Sequence, residues 1–256
     1  MSCLEPDELA EALLGTAEAA GVAILEHYGT SAGVRLKADR TPVTDADLAA
    51  DRVIAARLGA LFPDIPLVSE EGVEAFEGGV EGAGRFFLVD PLDGTREFLE
   101  RTGEFTVNIG LIEAGRPAAG IVHAPALGET FLAVAGSAYW ISGGTRRGPL
   151  RARRQEGDTA VILASRFHRD PQTDAFIAEQ GKARVITAGS ALKFGVLARG
   201  DADLYPRFGR TMEWDTAAGH AVLKAAGGSV RTLDGAELGY GKPGFENPSF
   251  IARGRD

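Results

Sequence analysis

Phe86-Phe87-Leu88-Val89-Asp90-Pro91-Leu92-Asp93-Gly94-Thr95-Arg96-Glu97-Phe98-Leu99-Glu100 is the stretch from which the rest of the chain can be read. Its four leading apolar residues predict a buried strand. Arg96–Glu100 predicts a short helical turn. Two carboxylates, Asp90 and Asp93, therefore leave the end of a strand just before a glycine and a hydroxyl at a helix start. Pro91 fixes φ and turns the chain, which lets the Leu92 carbonyl point the same way as the acids. Gly94 has no Cβ, so its amide can approach an anion closely. Hard oxygen donors of this kind suit Mg²⁺, and a helix N-terminus suits phosphate.

Working outward, three further segments place an acid at the end of an element: Thr44-Asp45-Ala46-Asp47, Glu70-Glu71, and Trp214-Asp215. Clustered carboxylates repel one another unless a proton or a cation compensates. A pair of Mg²⁺ ions about 3.5–4 Å apart can clamp the attacking and leaving oxygens of a phosphoryl transfer. Each segment also has a plainer reading. Asp47 lies three residues after Thr44, as in a capping box. Glu70-Glu71 reads equally as a solvated strand end. Asp215 reads as a helix cap, and Asp90-Pro91 with Asp93-Gly94 as a turn. The order and spacing of the four together are far more specific than any one of them.

Around these segments the periodicity predicts a helix over 6–28 carrying Leu9, Leu13, Ala17, Ala20 and Ile24. A second helix should start near Thr44, carry Leu48, Ile54, Leu58 and Leu61, and stop before Pro63. Leu67-Val68 is a short strand. The glycine-rich stretch Val73–Gly84 reads as a mobile surface loop. Strands over 105–111, 118–124 and 130–134 form an antiparallel meander. From Thr159 onward strands (160–163, 184–186, 202–205, 229–232) alternate with helices (171–180, 190–198, 215–226). The change of pattern follows the Gly/Arg-rich loop at 143–154. It predicts an α+β metal-binding part over 1–150 and an α/β substrate-recognition part over 151–256.

The chain has 256 residues, 45% of them hydrophobic and 25% charged, with a net charge of −9. An acidic chain is a poor binder of nucleic-acid polymers, since that binding rests on Lys and Arg neutralising phosphates. A small anionic substrate stays open if bound cations reverse the local field. The one basic cluster, Arg146, Arg147, Arg151, Arg153 and Arg154, reads as a solvated loop. No apolar run approaches the ~20 residues of a transmembrane helix. The acidic first residues lack the basic and apolar regions of a signal peptide. The lone Cys3, which excludes an intrachain disulfide, fits the cytoplasm. Weak peripheral association with the inner membrane face and a homodimer both stay open.

At LVDPLDGTREF (88–98), WDTAAGHAVLKAAGG (214–228), PVTDAD (42–47) and SEEG (69–72) the chain resembles the inositol monophosphatase superfamily, the Mg²⁺-dependent, lithium-sensitive phosphatases. The resemblance implies a layered αβαβα sandwich. It implies that Glu70, Asp90 and the Leu92 carbonyl hold one Mg²⁺, that Asp90, Asp93 and Asp215 hold a second, and that a third sits near Glu70. It further implies that Thr95, oriented by Asp47, activates the attacking water, and that the Gly94 and Thr95 amides bind phosphate. GEFTVNIGLI (103–112), ASRFH (164–168), GSALKFG (189–195) and DLYPRFGRTMEWDTAAGHAV (203–222) narrow it to the bacterial CysQ-type 3′(2′),5′-bisphosphate nucleotidases of sulfur assimilation. That likeness implies that Ser190, Lys193 and Arg207 contact the second phosphate and sugar, and that His168 stacks near the base. Phe167 and Ala191 stand where that subfamily usually has serines. An inositol 1-phosphate or fructose 1,6-bisphosphate phosphatase is the first alternative, and a non-catalytic anion-binding protein the remote one.

Overall fold

The computed structural model describes residues 5–30, 33–36, 42–73, 80, 82–167 and 169–255. Most of the expected loop at 73–84 and the predicted base contact His168 lie outside them. Strands β1 (Val34–Leu36) and β2 (Pro42–Thr44) pair with each other beside the first two helices, α1 (Pro6–His27) and α2 (Asp45–Leu61). A seven-stranded sheet then runs in chain order: β3 (Leu67–Ser69), β4 (Arg85–Asp93), β5 (Thr106–Glu113), β6 (Arg116–Ala124), β7 (Glu129–Val134), β8 (Ser137–Ser142) and β9 (Thr145–Pro149). Only the β3–β4 pair is parallel; the rest is a meander.

The second sheet contains β10 (Thr159–Ser165), β11 (Lys182–Ala188), β12 (Leu204–Arg207), β13 (Ser229–Thr232) and β14 (Phe250–Arg253), in the order β11-β10-β12-β14-β13. Around it stand α4 (Pro171–Glu179), α5 (Leu192–Ala198) and α6 (Glu213–Ala225); the short α3 (Thr95–Leu99) follows β4.

Strand alternation shows how the layers stack. On β4, Phe87 and Val89 point into a core shared with Leu13, Ala17 and Ile24 of α1 and with Ile54 and Leu58 of α2. Their neighbours Phe86 and Leu88 point the other way, into a core shared with Ala217, Ala221 and Val222 of α6. That second core continues to Leu163 and Phe250 of the five-stranded sheet. The outer face of this sheet, Ala160, Ile162 and Leu204, is covered by Phe176 and Ile177 of α4. The order is helix, sheet, helix, sheet, helix, the αβαβα sandwich that the sequence led us to expect. Both faces of β4 and β5 are buried, which is why these strands read as nearly continuous apolar runs.

Several expectations change in detail. The stretch 143–154 is not wholly a loop: Thr145–Pro149 is β9, and the Arg146 guanidinium lies 3.5 Å from the Tyr139 ring centroid on the neighbouring strand. Arg153 is not simply solvated, since it grips the buried Asp203 with two hydrogen bonds of 2.8 and 2.7 Å. Leu61, expected on the apolar face of α2, is exposed. Strand β14 had no counterpart in the sequence reading.

One contact sets the distance between α6 and the large sheet. Gly110 of β5 and Gly120 of β6 are cross-strand partners. A Cβ on Gly110 would lie 2.7 Å from the Ala217 Cβ and 2.9 Å from the Ala218 nitrogen; one on Gly120 would lie 2.7 Å from the Ala218 carbonyl oxygen. The helix therefore rests directly on sheet backbone. Gly110→Ala should push α6 outward and cost about 1–3 kcal/mol, as overpacking does, read as a lower Tm. Gly59→Ala on the exposed side of α2, where nothing lies within 4 Å of the new methyl, should instead raise stability by about 0.4–1 kcal/mol.

Candidate active site

The acids reach one place from four elements. Strand β4 pairs with β5 up to Asp90↔Asn108 and resumes at Asp93↔Thr106, so Pro91 and Leu92 oppose the single residue Val107. This bulge re-aims the strand end. It stands at a proline, which has no amide to give to a ladder. Asp90 is 2% exposed, and its Oδ1 accepts the Leu92 amide at 3.1 Å. Gly94 follows at φ 90° as the N-cap of α3. Glu70 lies just past β3, where its amide donates to the Val89 carbonyl at 3.0 Å. The preceding residue, Ser69, is tied to α2 by a 2.5 Å hydrogen bond to Asp51.

Asp47 and Asp215 stand in the first turns of α2 and α6. Asp47 Oδ2 accepts from the Thr44 amide at 2.8 Å and from Thr44 Oγ1 at 2.5 Å, closing a capping box. Asp215 Oδ2 accepts from the Met212 amide at 2.8 Å. The capping-box reading of Asp47 holds; Asp215 is not the N-cap expected of it, since α6 begins at Glu213 and Asp215 reaches back from the third position to the Met212 amide. In both residues the second carboxylate oxygen stays for other work.

Glu70, Asp90 and Asp215 each bring an oxygen within 4.8 Å of the others. Asp93 stands beside this group rather than in it. Its Oδ2 accepts from the Ala191 amide at 2.6 Å and from Asn108 Nδ2 at 3.3 Å. The donor set fits a hard divalent cation on chemical grounds. Beyond burial itself, the influences that push Asp90 well above the usual carboxylate range are all carboxylates: Glu70, Asp93, Asp215 and Asp47. Asn108, opposite Asp90 in the ladder, keeps its buried Oδ1 without a hydrogen-bond partner among the described residues.

Burial, with the neighbouring acids Asp93 and Glu70, lifts Asp215 to about 8. Burial lifts Asp93 to about 6, against the pull of Lys193. Burial also lifts Asp47 to about 6, against its Thr44 hydrogen bonds.

Cations line the same cavity. It holds about 250 Å³ and is lined by Glu70, Asp90, Asp93 and Asp215 together with Arg96, Lys193 and Arg207. Gly94, Thr95, Ser190 and the Leu92 residue also line it. Lys193 is buried, which draws its ammonium down to about 8. It donates to the carbonyls of Ser190 at 2.5 Å and Ala188 at 3.3 Å, so it braces the 188–191 turn. Ser190 there sits at φ 42° and accepts at Oγ from Thr106 at 3.2 Å. The sequence reading missed Asn108, Glu97, Tyr205 and Thr211, of which the last three line the cavity. For Asn108 a signal existed: it is the one strongly polar residue in the apolar run Val107–Ile112.

The sequence profile of the inositol monophosphatase family matches residues 5–253. The 3′(2′),5′-bisphosphate nucleotidases CysQ of Salmonella typhimurium and of Escherichia coli K12 are each 43% identical over 234 residues, 90% of this chain and 94% of theirs. Among solved structures, CysQ from Bacteroides thetaiotaomicron superposes with a TM-score of 0.85 at 35% identity, covering 99% of this chain and all of the other. The Thermotoga maritima IMPase superposes at 0.77 with 28% identity, covering 96% and 92%.

The raised carboxyls set a pH dependence. Without a cation, Asp215 holds a proton up to about pH 8, and a divalent cation must displace that proton to bind. Apparent Mg²⁺ affinity should therefore rise as pH increases from 6 to 8, by about tenfold per unit for each proton released. Calorimetric titration at several pH values reads this directly; a flat profile would remove these acids from the binding site.

Proposed function

The chain belongs to the inositol monophosphatase family, and from that premise we propose that it is a metal-dependent phosphatase that hydrolyses the 3′-phosphate of adenosine 3′,5′-bisphosphate, giving AMP and phosphate. The observation that carries the metal-dependent reading is the convergence of Glu70, Asp90 and Asp215 with no cation among the charges acting most strongly on Asp90. The substrate choice rests on the likeness to the two bacterial nucleotidases, taken with a pocket lined by three cations as well as the acids.

In this reading Glu70, Asp90, the Leu92 carbonyl, Asp93 and Asp215 hold two or three Mg²⁺ ions. When bound, such ions neutralise charge on the transferring phosphate and lower the pKa of a coordinated water. The chain's own groups do the positioning. The amides of Gly94 and Thr95, at the start of α3, take phosphate oxygens. Thr95 Oγ1 accepts and passes on the water's proton, with Asp47 as its base. Because Thr44 occupies Oδ2 of Asp47 twice, Oδ1 is the oxygen left for this task. Transfer runs to water without a covalent enzyme intermediate, since the phosphoryl transition state asks mainly for positioning and charge stabilisation. We assign the metal site to 1–150 and substrate recognition mainly to 151–256, with Asp215 reaching across. Cytoplasmic residence belongs to the same proposal, and no described helix is long and apolar enough to cross a membrane.

Phosphate release from adenosine 3′,5′-bisphosphate, inositol 1-phosphate and fructose 1,6-bisphosphate, measured side by side with Mg²⁺, tests the substrate. The bisphosphate nucleotide should lead; a clear preference for inositol 1-phosphate overturns the choice. Asp93→Asn and Thr95→Ala should each lower kcat by about a hundredfold or more with little change in Tm. Release at background with every substrate and metal would leave only an anion-binding role.

A further inference from the structure

The three cations of the pocket wall are not equivalent. Lys193 is buried and bound to two carbonyls. Arg207 donates to the Arg210 carbonyl at 3.2 Å. Arg96, the residue after Thr95, is exposed at the rim, and its guanidinium carbon lies 4.3 Å from the centroid of the Phe167 ring. No carboxylate or carbonyl among the described residues accepts from its side chain. A guanidinium held over an aromatic ring by a cation–π contact keeps N–H groups for an anion. The ring fixes their direction before the anion arrives, which lowers the ordering cost of binding.

The platform is itself held in place. Arg166, next to Phe167, makes two hydrogen bonds of 2.9 and 2.7 Å to the Glu104 carboxylate. Glu104 Oε2 also accepts the Gly189 amide at 2.9 Å. One carboxylate thus joins the segment bearing Phe167 to the turn bearing Ser190, both at the cavity. A serine at position 167 would offer Arg96 no ring, so this arrangement belongs to this chain's own sequence.

We infer that Arg96, seated on Phe167, is a specificity-determining residue whose guanidinium edge binds the anionic group of the substrate that is not hydrolysed. It follows directly on Gly94 and Thr95, whose amides take the reacting phosphate, and its exposed side chain extends to Phe167. The inference rests on the bisphosphate reading above, and the experiment separates the two.

The measurement is kcat/KM for adenosine 3′,5′-bisphosphate and for adenosine 3′-monophosphate, which lacks the second anion. Wild-type protein should prefer the bisphosphate. In Arg96→Ala the bisphosphate value should fall by about ten- to a hundredfold, the usual loss for a charge-assisted hydrogen-bond pair, with the monophosphate value unchanged and Tm unmoved. Arg96→Lys should retain part of the preference, and Phe167→Leu should lose part of it because the guanidinium is no longer directed. An equal fall on both substrates, or none on either, overturns the assignment to the second anion. If wild-type protein leaves both nucleotides untouched and turns over inositol 1-phosphate, the substrate reading fails first and takes this assignment with it.

Discussion

Like charges held together out of water are the constraint on which this architecture turns. Glu70, Asp90 and Asp215 share one spot, with Asp47 and Asp93 acting on it from the flanks. Water would keep such groups apart at little cost, but burial does not. The fold answers by fixing each one through its own backbone: a strand bulge for Asp90 and Asp93, a serine-to-helix tie beside Glu70, a capping box for Asp47, and the Met212 amide for Asp215. None of these devices neutralises the charge. They only hold it where a cation can.

The layers serve the same end. Helix α6 lies between the two sheets and delivers Asp215 from its first turn, so its distance from β5 and β6 sets where that acid stands. At its start, Glu213 is fully buried and accepts the amides of Gly241 and Lys242 at 2.6 and 2.9 Å, while Asn247 donates to the Met212 carbonyl at 2.7 Å. The loop before β14 thereby clamps the end of the helix that carries the acid. The pocket that results carries cations, Arg96, Lys193 and Arg207, as well as the acids, which suits a substrate carrying two anions.

Much of this was legible in the sequence because the acids sit in local motifs. The turning of the chain is written in Asp90-Pro91-Leu92-Asp93, and the capping box in Thr44-Asp45-Ala46-Asp47; the start of α6 two residues before Asp215 was not. The αβαβα layering followed from resemblance; the apolar run of β4 only implied burial on both faces. What escaped depends on distant pairing. Strand β14 is four residues long and exists because Tyr205 and Val230 both pair with Ala252. Strand β9 is polar and lies at a sheet edge, where no burial pattern betrays it. The sequence suggested Lys193 as a substrate contact; the buried bonds to Ala188 and Ser190 could not be read from helical spacing.

Capping and chemistry fall on the same carboxylates at Asp47 and Asp215, whereas Asp90 and Glu70 cap nothing among the described residues. Drift at the first two positions therefore threatens folding and turnover at once. At Asp90 the local bond is to the Leu92 amide inside the bulge, so drift there threatens turnover together with the shape of the strand end. A descendant that abandoned catalysis would still have a folding reason to keep the helix-starting acids, whichever way activity and stability are traded.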